Sequence, residues 1–306
     1  MTIATPATTA IRDPAGGSGP IIAYIALCCI WGSTYLAIRM AVETLPPHIM
    51  VGVRSVMAGM AMGVFALARG AQLPRGRHLA SAAISGILLF AGGQSLLALA
   101  ETRLGSGPAA VLNATQALIM PLTAWAIGAG RAPGRPTWLG LLAGFIGVAI
   151  LVRPGLGGLD IAGAACVLGS VLCWSFGGAI TQRWPVGPVA VTAGTQMVIG
   201  GMACLLLSLV FGDWHGFTLA GVGHRSWIGF AYLATVGSLG GFGAFAWLVQ
   251  IWPMERLATY TYINPVVALL LGAALAGETI TPREIVATLV ILSAVGVVMW
   301  SARRRR

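Results

Sequence analysis

Ten apolar stretches, each about 20 residues long and joined by short connections rich in Gly, Pro and Arg, occupy almost the whole chain. A helix of that length just crosses the hydrocarbon core of a bilayer. Its backbone amides find no water there and must bond within the helix. The stretches are 20–39, 47–69, 79–100, 106–127, 136–152, 160–182, 187–211, 226–250, 256–276 and 282–301. They predict an all-α polytopic membrane protein with ten transmembrane helices. Charge usage excludes a soluble domain. Only 8% of the 306 residues are charged and 57% are hydrophobic, whereas soluble domains carry about 25% charged residues.

The ends differ from the middle. Residues 1–19 are polar and read as a disordered cytoplasmic N-terminus, not a signal peptide, because they precede a full-length span and no small-residue cleavage site ends a short apolar core. Residues 303–306 are a run of four arginines and read as a basic cytoplasmic tail.

The net charge of +10 comes from 18 arginines and no lysine. In a soluble chain such a balance suggests nucleic acid. Here the arginines punctuate apolar segments, so they read as topology and no nucleic-acid partner is expected. With the N-terminus in the cytoplasm, Arg12, Arg69, Arg75, Arg77, Arg131, Arg135, Arg183, Arg256 and Arg303 to Arg306 lie inside. Arg39, Arg103, Arg153, Arg225 and Arg283 lie outside. The positive-inside rule therefore favours both termini cytoplasmic. The five cysteines, Cys28, Cys29, Cys166, Cys173 and Cys204, all fall inside apolar runs with no CxxC spacing. They read as small hydrophobes, with no disulfide or metal role.

The halves echo each other. IWGSTYLAIR (30–39) pairs with CWSFGGAITQR (173–183), setting Trp31 against Trp174. GGQSLLALA (92–100) pairs with GGFGAFAWL (240–248) at an offset of 148, and the same offset sets AVLNATQAL (110–118) against ATYTYINPV (258–266). Five helices per half force the second half to insert upside down. Two inverted five-helix repeats, 20–152 and 156–302, are the architecture of many secondary transporters, with the substrate site near the midplane between them.

Several pieces resemble the EamA family of the drug/metabolite transporter superfamily. These are WGSTYLAIR in the first helix, PPHIMVGVR in the second, GLLAGFIGVAILV (140–152) and INPVVALLLGAALAGETITPRE (263–284). Within that family the chain is most similar to exporters of aromatic amino acids. The resemblance implies ten helices, cytoplasmic termini, a bacterial inner-membrane location and a central cavity lined mainly by helices 1, 3, 4, 6, 8 and 9. The chain departs from the family's pattern near 130–132, which reads GAGRAPGRP without the acidic residue, and at Pro121, which lies four residues from the position that aligns with Pro265.

Polar groups inside spans are candidates for function because hydrocarbon offers them no partners. They are Tyr35, Gln94, Asn113, Gln116, Tyr260, Tyr262 and Asn264. The competing reading for each is interhelical hydrogen bonding, worth roughly 0.6 kcal/mol. Trp31, Trp174 and Trp247 lie within spans and either pack between helices or offer aromatic surface to a substrate. Pro121 and Pro265 interrupt the fourth and ninth helices and act either as static kinks or as bends that let the halves rock. Glycines at GxxxG spacing, Gly59/Gly63, Gly140/Gly144 and Gly237/Gly241, read as close helix packing within the bundle.

Arg54 is the one charge well inside a span. It lies seven residues past Pro47, about 10 Å in at the helical rise. It is expected to tie the second helix to outer carbonyls or to Glu43, with attraction of a substrate carboxylate as the other option. No span interior holds Asp or Glu, so the cavity is expected to be neutral and transport not proton-coupled; Glu101 and Glu278 sit at span ends. No hydrolase, metal or nucleotide motif is present, so no enzyme, cofactor or metal is expected.

Together these readings point to an exporter of amino acids and related metabolites in the bilayer, monomeric or weakly dimeric. An exporter of drugs or cationic compounds, or a non-transporting membrane scaffold or receptor, are the alternatives.

Overall fold

The computed structural model of the protein describes residues 18–104, 109, 112–152, 160–276 and 282–303. The expected tail through residue 17, the last three arginines, Arg12, Arg153 and Glu278 lie outside the described residues.

The described chain is helical: α1 Gly19–Ala41, α2 Pro47–Ala68, α3 Arg77–Glu101, α4 Gln116–Ala126, α5 Arg135–Val152, α6 Ile161–Arg183, α7 Val189–Val210, α8 His224–Ile251, α9 Tyr260–Ala276 and α10 Pro282–Arg303. Six of them, α1, α2, α3, α6, α7 and α8, are long and apolar enough to cross a membrane. The helix starts follow local chemistry. Proline opens α1 and α2 within the first two positions, where its missing N–H costs nothing. Asp160 caps α6 by accepting from the Gly163 amide at 2.6 Å. Gly128 and Gly212, at φ 69° and 74°, end α4 and α7 in the left-handed region.

Two features were not legible as periodicity. The middle of α3, Ile87–Gln94, and the middle of α8, Leu233–Phe242, are wound as π-helix. Such widened turns concentrate at functional sites. At the 148-residue offset the first falls on the second, with a slip of two residues at its start.

The fourth and ninth spans also differ from a single unbroken helix. Residues 112–114 are helical, Thr115 is a turn, and α4 starts at Gln116. A short helical turn, Met254–Leu257, is followed by a turn at Ala258 and Thr259 before α9. Thr115 Oγ1 donates to the Leu112 carbonyl and Thr259 Oγ1 to the Arg256 carbonyl. These bonds are 144 residues apart, and so are Pro121 and Pro265. The offset of 148 expected here is therefore corrected to 144, which brings the two prolines into register.

Glycine lets the helices touch. A Cβ on Gly59 would lie 2.8 Å from the Val198 amide nitrogen, and one on Gly201 would lie 2.9 Å from the Gly52 carbonyl oxygen. The α2 and α7 backbones are thus in direct contact. Gly86 of α3 and Gly200 of α7 meet in the same way. The expected GxxxG pairs split their tasks: Gly140 packs on Val298 of α10, Gly144 receives the ring of Tyr262, and Gly241 receives Trp31. Gly63 makes no such contact for its own Cβ.

Candidate functional site

A cavity of ≈ 70 Å³ lies at the centre of the bundle. That is room for several waters at about 10–15 Å³ each, so a metabolite needs the walls to separate. Eight of the ten residues singled out from the sequence line it: Trp31, Tyr35, Gln94, Asn113, Gln116, Trp174, Tyr260 and Asn264. Its walls come from α1, α3, α6, α8, α9 and the segment around α4, as expected, with one addition from α2.

Two of the ten lie elsewhere. Tyr262 is fully buried against α5, and its hydroxyl donates to the Leu141 carbonyl. Gly144 leaves the space its ring fills. Tyr262 and Tyr260 are two residues apart, so they face different sides of one helix. Trp247 is half-buried and lies near the start of α1, where a Cβ on Gly19 would come 3.6 Å from its ring. The expectation that these two line the cavity with the other eight is corrected: neither is in its lining.

The cavity has an aromatic end. Trp31 sits at the middle, with ring centroids 5.3 Å from Trp174, 5.4 Å from Phe245 and 5.0 Å from Tyr260. Edge-to-face pairs such as Trp31–Trp174 place the electropositive rim of one ring on the electronegative face of the other. Amides line the cavity beside the aromatic residues. Asn113 Nδ2 donates to the Tyr35 hydroxyl at 2.9 Å, and Gln116 Nε2 donates to the Tyr260 hydroxyl at 2.6 Å. Ser170 Oγ donates to the Gly93 carbonyl at 2.7 Å, within the π-wound stretch. Ser170 lies one turn before Trp174 on α6, a spacing that could have marked it.

Arg54 joins this site. It is 3% exposed and lines the cavity. Its Nη1 donates to Ser238 Oγ at 3.1 Å and its Nη2 to Gln94 Oε1. Ser238 and Gln94 lie in the π-wound stretches of α8 and α3. The expected tie to Glu43 does not form, since Glu43 pairs with Arg225 at 3.5 Å. The expectation of a neutral cavity is corrected too: its lining carries one cation and no carboxylate among the described residues. Glu101, at the end of α3, keeps a buried Oε1 with no hydrogen-bond partner among the described residues. No group of acids, histidines and cysteines able to hold a metal occurs among the described residues.

The model of the EamA-like transporter family matches residues 18–153 and again 161–300. The chain belongs to the EamA-like transporter family. It is a membrane transporter, and not an enzyme. The double match agrees with repeated halves. The chain is 35% identical over 276 residues to YedA, an uncharacterized inner membrane transporter of Escherichia coli K12, covering 89% of this chain and 88% of that one. It is 25% identical to a probable amino-acid metabolite efflux pump of Salmonella typhimurium, over 90% of this chain and 93% of that one. A solved crystal structure superposes with a TM-score of 0.76 at 17% identity, over 93% of this chain and 99% of the other, and so shares the fold.

Proposed function

We propose that this transporter exports amino acids, aromatic or other neutral ones included, and related metabolites, by alternating access between two inverted five-helix halves. The observation that carries the reading is the central cavity, whose walls come from both halves and combine aromatic residues with neutral amides and Arg54. Trp31, Trp174 and Tyr260 suit an apolar or aromatic side chain, while Asn113, Gln116 and Asn264 suit the polar groups of an amino acid. The name of the Salmonella relative points the same way.

The two-half mechanism draws on the repeated bonds. Thr115 and Thr259, with Pro121 and Pro265 six residues on, interrupt counterpart helices of the two repeats 20–152 and 156–302. A broken helix that lacks one backbone hydrogen bond bends at low cost. The side-chain pairs group the helix ends as the expected topology requires. His48 with Asp213, Arg103 with Asp160 and Arg225 with Glu43 each join two residues in connections or helix ends assigned to the outer face. At the other end Ser81 Oγ donates to the Trp184 carbonyl, and Thr137 bonds Ser301, all placed on the cytoplasmic side. Both termini are then cytoplasmic, and the inner membrane is the location, as in the YedA relative.

Efflux from preloaded proteoliposomes holding only the purified chain tests the reading. Saturable efflux of amino acids, independent of a proton gradient and lost in a Gln116→Ala/Asn113→Ala variant, is the expected result. Absence of amino-acid flux would overturn the substrate assignment in favour of a drug exporter or a scaffold. Flux that requires a proton gradient would overturn the uncoupled mechanism and direct attention to Glu101.

A further inference from the structure

We infer that Arg54 is the anion-recognition group of the central cavity, so that the transported solute must carry a carboxylate. The inference rests on the transporter reading above and narrows its substrate class.

A buried guanidinium needs a counter-charge or access to water, because the low-dielectric interior penalises an isolated ion far more than a neutral dipole. Arg54 is 3% exposed, yet its hydrogen-bond partners Gln94 and Ser238 are both neutral. The three ion pairs among the described residues leave it out. Its Nε is buried with no acceptor among the described residues. A guanidinium carries five donors in a planar arrangement that matches a carboxylate; here Nη1 and Nη2 make one hydrogen bond each to neutral groups, Nε makes none among the described residues, and the residue lines the cavity. Held by Ser238 and Gln94, the group is fixed in place before any ligand arrives.

The other half shows that packing does not require the charge. Gln196 lies eight residues past Pro188, the residue before α7, as Arg54 lies eight past Pro46, the residue before α2; it is fully buried and donates to Ser85 Oγ and Thr181 Oγ1, both at 2.8 Å. A neutral amide therefore ties α7 to α3 and α6. In the first half the same task is given to an arginine, which adds a positive charge facing the cavity. On the cavity wall Asn264 Oδ1 is a buried acceptor without a partner among the described residues. One unused donor on a cation and one unused acceptor on an amide match the carboxylate and the ammonium of a zwitterion. An organic cation would meet Arg54 as a like charge.

The test is equilibrium binding to the purified full chain by calorimetry, with three probes that share a phenyl ring. Phenylalanine carries both charges, 3-phenylpropionate keeps only the carboxylate, and phenethylamine keeps only the ammonium. The wild type is expected to bind the first two and not the third. Arg54→Gln removes the charge, and affinity for both carboxylates should fall roughly tenfold or more, the usual cost of losing a charge-assisted hydrogen bond. Gln94→Glu is the second variant: it retains Arg54 but supplies an internal carboxylate, should fold at least as well as the wild type, and should also lose both ligands.

If 3-phenylpropionate binds in an Arg54-dependent way and phenylalanine is neither bound nor carried, the amino-acid reading falls and this inference stands. If phenylalanine is carried and binds unchanged to both variants, this inference falls and the amino-acid reading stands. Binding of phenethylamine as tight as that of phenylalanine also overturns it, as does failure of the wild type to bind either carboxylate.

Discussion

Trp31 of α1 and Trp174 of α6 meet edge to face, with centroids 5.3 Å apart and planes at 76°. The sequence pairs these two residues as counterparts in the two halves. Their contact places the aromatic end of the cavity where the two repeats touch.

The pair depends on a glycine. A Cβ on Gly241 would fall within contact distance of the Trp31 indole nitrogen. Gly241→Ala is expected to displace Trp31, lower thermal stability by about 1–3 kcal/mol and reduce amino-acid flux. Melting in detergent beside a flux assay checks it; flux and melting equal to wild type would show that Trp31 is not held there.

Two tyrosines on α9 have different surroundings. Tyr260 accepts from Gln116 in the cavity wall, whereas the Tyr262 hydroxyl serves only the Leu141 carbonyl. Tyr260→Phe should raise the half-saturating substrate concentration with little change in melting. Tyr262→Phe should cost about 1 kcal/mol of stability, the worth of one hydrogen bond, and leave transport kinetics alone. The reverse pattern would move the substrate to the other face of the helix.

Much of this was readable in the sequence because hydrocarbon leaves a chain few options. Spans such as 20–39 and 160–182 need only a count of apolar residues, and α1 and α6 match them within two residues at each end. Six of the eight cavity residues stood out because polar groups within spans are scarce, and Trp31 and Trp174 because they lie away from span ends. Three things were hidden. Helix rotation separates Tyr262 and Trp247 from the cavity, and apolar composition on every face leaves no periodicity from which to read it. The π-wound stretches of α3 and α8 break no compositional rule. The helix breaks at Thr115 and Thr259 depend on threonine hydroxyls that compete for the backbone, a signal too common to single out beforehand. Arg54 was visible at once, but its neighbours come from α3 and α8, and only the fold brings them to it.

The contact between α2 and α7 gives a paired test. A Cβ on Gly59 would lie 2.8 Å from backbone of α7, while one on Gly63 meets nothing within 4 Å. Gly59→Ala should cost about 1–3 kcal/mol by overpacking, and Gly63→Ala should be neutral or slightly stabilising through helix propensity. Equal melting of the two variants would contradict the packing described.

Sidedness can be read with single cysteines in a background lacking the native five. Thr218 and Gln72 are both exposed, on connections assigned to opposite faces. In intact cells an impermeant maleimide should label Thr218→Cys and reach Gln72→Cys only after the cells are opened. Labelling of Gln72→Cys in intact cells would invert the orientation.

Counterflow tests alternating access most directly. Proteoliposomes of the purified chain are loaded with unlabelled phenylalanine at high concentration and diluted into a trace of the labelled amino acid. A carrier that exposes one site to each side in turn predicts a transient accumulation of label above the final equilibrium level, abolished in Gln116→Ala/Asn113→Ala protein. Label that enters without overshoot, at a rate proportional to concentration, would contradict it and mark a channel.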